Sequence, residues 1–160
     1  MSRRYWLMKT EPGEFSIDDL ASRPGQIEPW DGVRNYQARN FMRDDMRIGD
    51  GVLIYHSRVE PMAVVGIAEV ASEGYPDDTA WNPDCKHYDP KSTQEQPRWF
   101  LVDVRFIAKF PHPVTLRTIR HTPGLENMML VQKGSRLSIQ PLRRTEWDII
   151  IKLGIPRKTE

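Results

Sequence analysis

Gly49-Asp50-Gly51-Val52-Leu53-Ile54-Tyr55-His56, with Ala63-Val64-Val65-Gly66-Ile67-Ala68-Glu69-Val70 close behind, decides the architecture of this 160-residue chain. Gly49-Asp50-Gly51 reads as a turn and Val52 to His56 as a strand. The small, β-branched run from Ala63 to Val70 reads as the next strand. Two strands in succession, with no helix between them, break the βαβ alternation of a Rossmann-like sheet.

Working outward, Tyr5-Trp6-Leu7-Met8 is an apolar run that fits a buried first strand, broken by Pro12-Gly13. Ser16-Ile17-Asp18-Asp19 matches a capping box and predicts a short helix ending near Pro24-Gly25. A second helix is expected from Tyr36 to about Asp45, capped by Asn35. Gly74 to Gln96 is polar, carries Pro76, Pro83 and Pro90, and reads as a long surface excursion of the kind that is functional or mobile. Trp99 to Phe110 predicts a long strand. Leu116 to His121 and Leu125 to Val131 read as helical turns, and Arg136 to Pro141 as a short last strand. Thr145-Glu146-Trp147-Asp148 repeats the capping-box pattern and opens a final helix through Leu153, stopped by Gly154 and Pro156. The expected fold is α+β and mainly β: a mixed, mostly antiparallel sheet curled into a small barrel with peripheral helices, one domain over residues 1–160.

Composition narrows the function. Twenty-three basic residues against 22 acidic ones leave a net charge of +1, which excludes a polybasic or acidic tail. The start, Met1-Ser2-Arg3-Arg4-Tyr5-Trp6, has no apolar region behind its arginines and is not a secretory signal. No apolar run is long enough for a membrane helix. Cys85 is the only cysteine, so it is expected to be a free thiol in a soluble, cytoplasmic protein. Histidines 56, 87, 112 and 121 lack i, i+3 or i, i+4 spacing, and Cys85 and His87 have no second pair, so no metal site is expected. GxGxxG, GxxxxGK[ST] and GxSxG patterns are all missing, and no cofactor is expected.

Trp30-Asp31-Gly32-Val33-Arg34-Asn35-Tyr36-Gln37-Ala38-Arg39-Asn40 carries more chemistry. A tryptophan that looks exposed, a glycine turn, amides and arginines gather just before and inside a helix. Such a set can stack on a base, read its edge, and offer N–H groups to a phosphate. The same residues also fit a core tryptophan with two surface ion pairs.

This stretch resembles the EVE domain family of the PUA-like superfamily. Further residues carry the resemblance: Tyr5 to Pro12, Gly49-Asp50, Tyr55-His56-Ser57, Gly66 to Val70, Tyr88-Asp89-Pro90, Pro97-Arg98-Trp99 and Arg136 to Pro141. Thr10 stands where the family usually has serine, and the hydroxyl is kept. The resemblance implies a PUA-like pseudobarrel and kinship with domains that hold a modified base in a pocket. It implies a non-catalytic module recognising a base such as 5-methylcytosine or 5-hydroxymethylcytosine in DNA. Carried over by position, the base pocket comprises Lys9, Thr10, Glu11, Trp30, Val33, Arg34, Asn35, Tyr55, His56, Ser57, Arg136 and Ser138. A patch of Arg39, Arg43, Arg143 and Arg144 would hold phosphates. The alternative from another class is a small ASCH-type amidohydrolase acting on a modified nucleoside, with Lys9, Thr10 and Glu11 as its chemical groups.

Overall fold

β1 (Tyr5–Thr10) is apolar without alternation because both of its faces are covered in the computed structural model, which describes residues 3–156. Trp6 and Met8 enter one apolar cluster with Val52 and Ile54 of β3 (Gly51–His56), while Leu7 enters a second with Leu53 and Tyr55. The alternation along each strand sorts its residues between the two sides of the sheet.

The main sheet has the order β2-β7-β4-β3-β1-β8. In it β2 is Ile27–Pro29, β4 Ala63–Val70, β7 Asp103–Thr115 and β8 Ile139–Leu142. β1 runs parallel to β3, with Lys9 opposite Tyr55, and every other pairing is antiparallel. The ladder between β4 and β7 shifts register at Val64/Gly66 and again at Ile67/Ala68. Such bulges bend and twist the strands, and they curl this mixed sheet into a half-barrel, in keeping with the curled mixed sheet that was expected. Pro111 and Pro113 lie between Lys109 and Val114, where the ladder is already broken, so no pairing needs their missing N–H.

Helices cover both sides. Ile17 and Leu20 of α1 (Ile17–Ser22) and Ala38 of α2 (Tyr36–Asn40) pack into the first cluster. Leu116 and Ile119 of α3 (Leu116–Arg120), with Trp147 and Ile150 of α4 (Arg144–Gly154), pack into the second. The expected caps of the first two helices form. Asp19 N–H donates to Ser16 Oγ at 3.1 Å, Ser16 N–H returns to Asp19 Oδ2 at 2.8 Å, and the Asn35 side-chain oxygen accepts from Ala38 N–H at 3.0 Å.

Five boundaries differ from expectation. Beyond Asn40 the second helix widens into a π turn over Phe41–Asp45, closed by Met46 N–H on the Phe41 carbonyl. The run from Trp99 changes partner midway: β6 (Phe100–Leu101) pairs with β5 (Tyr75–Pro76), and β7 begins only at Asp103. Of the turn expected from Leu125, only Met129–Val131 is helical. The last strand starts at Ile139, so Arg136 and Ser138 precede it. The final helix is opened by Arg143, whose N–H donates to Glu146 at 2.9 Å, and Thr145 lies in its first turn. The excursion is organised rather than loose: besides β5 it contains a 3-10 turn over Asp78–Trp81 and buries Asp77, Ala80 and Ser92.

Candidate functional site

A groove of about 700 Å³ opens where β1 ends. Its volume lies in the range of sites that take a small molecule or a single base, roughly 300–1,000 Å³. One wall is Lys9-Thr10-Glu11 with Glu14 and Phe15 ahead of α1. The segment Pro29 to Asn35, between β2 and α2, forms the floor and the second wall. Lys86 and His87 of the excursion and Ser138 ahead of β8 complete it.

Asp77 fastens the excursion to that second wall. Its buried carboxylate accepts from Gly32 N–H at 2.8 Å, Arg34 Nη1 at 3.0 Å and the Thr79 hydroxyl at 2.6 Å. Burial opposes ionisation of Asp77 most strongly, yet these bonds together outweigh it and hold the carboxyl below its ordinary range. Gly32 has φ +78°, and a Cβ there would stand 2.5 Å from the His87 ring, so only glycine lets the excursion close on this turn.

Arg34 spends all five of its N–H groups inside the protein. Nε and Nη2 donate to the His87 carbonyl at 3.1 and 2.8 Å, Nη1 to Asp77 and to the Val33 carbonyl at 3.2 Å, and Nη2 also to Thr79 at 3.2 Å. Its guanidinium lies 5.4 Å from the Trp99 ring centroid. Arg34 therefore ties the second wall to the excursion and has no donor left for a ligand. Trp30 is not exposed: it is 8% accessible, sits in the first core cluster and meets Phe15 edge-on at 5.9 Å. What remains accessible of it forms floor.

Eight of the twelve residues expected in a base pocket line this one groove: Lys9, Thr10, Glu11, Trp30, Val33, Arg34, Asn35 and Ser138. The other four do not. Tyr55 is buried in the second cluster. His56 Nε2 accepts Ile17 N–H at 3.1 Å, and burial lowers its pKa. Ser57 N–H donates to the Thr10 carbonyl at 3.0 Å, supporting β1 from behind. Arg136 is exposed outside the groove. Residues that sequence reasoning missed include Asp31, Lys86 and His87. Asp31 lies inside the quoted motif, whereas nothing in the local sequence around Lys86 and His87 points to a groove.

The groups in the groove divide into engaged and free. Thr10 donates its hydroxyl to the Phe15 carbonyl at 2.7 Å, Glu11 pairs with Arg58 at 2.8 Å, and Lys86 pairs with Glu14. Lys9 has no ion pair among the described residues, and burial lowers its pKa. Asp31 is held above its ordinary range, first by burial and then by the Asp77 carboxylate.

The expected phosphate arginines do not form one patch. Arg144 lines a different groove with Arg3, Arg4 and Tyr5, next to Arg143, at the opposite end of β1. Five residues of strand separate that end from Thr10, roughly 16 Å at the usual rise. Arg43 is paired with Asp44 at 2.8 Å through Nε. Arg39, on α2 beside the groove, donates to Asn40 and to the Arg98 carbonyl and lies 4.8 Å from the Tyr36 centroid. It has no acidic partner among the described residues; burial, then the Arg43 charge, lowers its pKa.

A curled mixed sheet with a polar groove at the end of its first strand, floored by a tryptophan, defines a PUA-like domain. The chain belongs to the EVE domain family, whose model matches residues 4–153. It is 39% identical to human thymocyte nuclear protein 1 over 166 residues, covering 93% of this chain and 73% of that protein. A hypothetical protein from Leishmania major matches with a TM-score of 0.89 and 42% identity, covering 96% of this chain and 95% of the other. Human THYN1 protein in complex with DNA containing 5-methylcytosine matches with a TM-score of 0.88 and 37% identity, covering 98% of this chain and 99% of that one.

Proposed function

We propose that this protein is a non-catalytic reader of a modified base in DNA, such as 5-methylcytosine or 5-hydroxymethylcytosine. The observation that carries the reading is the match, over 98% of the chain, to the human relative bound to DNA that contains 5-methylcytosine. The groove supplies the physical means. A base leaves the stack at a cost of a few kcal/mol, and edge hydrogen bonds and apolar contact must offset it. Lys9 and Asn35 supply donors, and Trp30 and Val33 supply apolar surface. Thr10, Glu11 and Arg34 act behind them by holding the walls. Arg39 is the arginine best placed for a phosphate, because it carries an unneutralised charge beside the groove.

The geometry speaks against the amidohydrolase alternative. Covalent catalysis by Lys9, Thr10 and Glu11 would need a nucleophile and a base among them in hydrogen-bond contact. Here the Thr10 hydroxyl is turned to a backbone carbonyl and Glu11 to Arg58, which leaves Lys9 alone.

The test is a panel of duplexes carrying one modified cytosine each, titrated against the protein, together with incubation of acylated and methylated cytidines. Tighter binding of a modified duplex with no product supports the reading. Turnover that disappears in Lys9→Met would replace it with the enzyme.

A further inference from the structure

We propose that Asp31 is the specificity-determining residue of the groove, accepting a hydrogen bond from the exocyclic amino group of the base and thereby selecting cytosines over thymine. This rests on the modified-base reading above and names the base edge that the groove requires.

Asp31 is held still while its carboxylate is left free. On one side Trp30 is buried and its N–H donates to the Val102 carbonyl at 2.9 Å. On the other, Gly32 N–H is held by Asp77 at 2.8 Å, with the His87 ring against the turn. Asp31 N–H itself donates to the Pro29 carbonyl at 3.0 Å. Among the described residues, no hydrogen bond or ion pair engages the Asp31 side chain. Every other carboxylate of the groove has a partner: Glu11 has Arg58, Glu14 has Lys86 and Glu28 has Arg23. Arg34, close by, has no donor to spare. A carboxylate kept unpaired on a pinned backbone, facing a groove, is a preorganised acceptor. Its raised pKa fits the same picture: burial and then the Asp77 carboxylate oppose its charge more than His87 and Arg34 offset them.

The free groups of the groove match one base edge. Asp31 offers an acceptor, and Lys9 and Asn35 offer donors. Cytosine presents an amino donor at position 4 together with ring and carbonyl acceptors. Thymine presents an oxygen acceptor at position 4 and keeps a methyl at position 5. Thymine thus equals 5-methylcytosine in shape and methylation, yet its oxygen would face the Asp31 carboxylate.

The experiment uses duplexes with 5-methylcytosine, cytosine or thymine at one position opposite an abasic site, so that base pairing contributes nothing. Wild type is expected to prefer 5-methylcytosine over thymine by roughly 5- to 150-fold, the discrimination of one good side-chain pair. In Asp31→Asn the amide can donate to the thymine oxygen, so that preference should collapse while the preference for 5-methylcytosine over cytosine persists. An unchanged 5-methylcytosine-to-thymine ratio in Asp31→Asn, with methyl discrimination intact in wild type, overturns the role of Asp31 and leaves the reader function standing. A wild type that binds thymine as well as 5-methylcytosine overturns it without any variant. Equal binding of 5-methylcytosine and cytosine by wild type removes the modified-base reading itself.

Discussion

Trp30 both packs in the core and lines the groove, and its burial decides which of the two a substitution exposes first. At 8% accessibility and edge-on to Phe15, it belongs to the core before it belongs to the groove. Trp30→Ala should cost about 3–5 kcal/mol through the cavity it leaves. At roughly 2–4 °C per kcal/mol for a chain this long, the melting midpoint should fall on the order of 10 °C. Trp30→Phe should keep most of that stability while weakening base binding, so paired melting and binding curves separate the roles. Full stability in Trp30→Ala would show that the ring is not part of the core. His56 gives a second test at this scale. Its neutral Nε2 accepts Ile17 N–H, and burial depresses its pKa in the folded state. The unfolded chain therefore binds the proton more readily. The stability this bond provides is complete above the unfolded value, about 6.5, and is lost as pH falls through the lower folded value. Between pH 7 and pH 5 the wild type should lose stability faster than His56→Gln, which accepts the same bond without titrating. Identical pH profiles would contradict this.

Two elements that line the groove, the Pro29–Asn35 segment and the excursion from Gly74 to Gln96, are far apart in sequence. Asp77 and Arg34 join them. Removing one partner of such a pair leaves a buried charge unsatisfied and costs roughly 3–5 kcal/mol; the Asp77 side chain is wholly buried and that of Arg34 is 22% exposed, so Arg34→Lys should fall below that range. Arg34→Lys keeps the charge but cannot reproduce five donors in a fork. It should lower base selectivity and leave the salt dependence of binding unchanged, because no Arg34 donor faces solvent. A reduced salt slope in Arg34→Lys would mean that Arg34 contacts phosphate after all. The strut shows where sequence reading reached its limit. β1, the cap at Ser16 and the cap at Asn35 were legible because their signals are local: an apolar run, and a side chain three residues from its partner. Apart from the adjacent Val33 carbonyl, the partners of Arg34 lie 43 to 53 residues away, in a stretch whose prolines and polar residues read only as a loop. Arg34 thus looked like a ligand-binding arginine in a motif, and only the fold shows its donors already used. Position along β1 was equally invisible. Arg143 and Arg144 are close in sequence to groove residues such as Ser138, yet the antiparallel pairing of β8 with β1 carries them to the far end.

The whole molecule carries a net charge of +1, so it has no strong global field to draw DNA in. For a reader of DNA the attraction must then be local, and of the two arginines on α2 and its π turn Arg39 is the one without an acidic partner among the described residues, since Asp44 already neutralises Arg43. Arg39→Ala should reduce the slope of log K against log salt by about 0.7–0.9, the loss of one phosphate contact, while Arg43→Ala should change it little. Equal reductions from both would show that the Arg43–Asp44 pair opens on binding. Phosphate contacts position a protein without specifying a base, so a groove that reads the base should keep its discrimination as salt weakens both complexes. The most direct measurement is therefore a competition between two duplexes identical except for one 5-methylcytosine against cytosine, run with wild-type protein at two salt concentrations. Both affinities should fall as salt rises, and their ratio should stay at roughly 4-fold or more in favour of the methylated duplex, the worth of one buried methyl group. A ratio of one at both salt concentrations would contradict modified-base recognition by this groove.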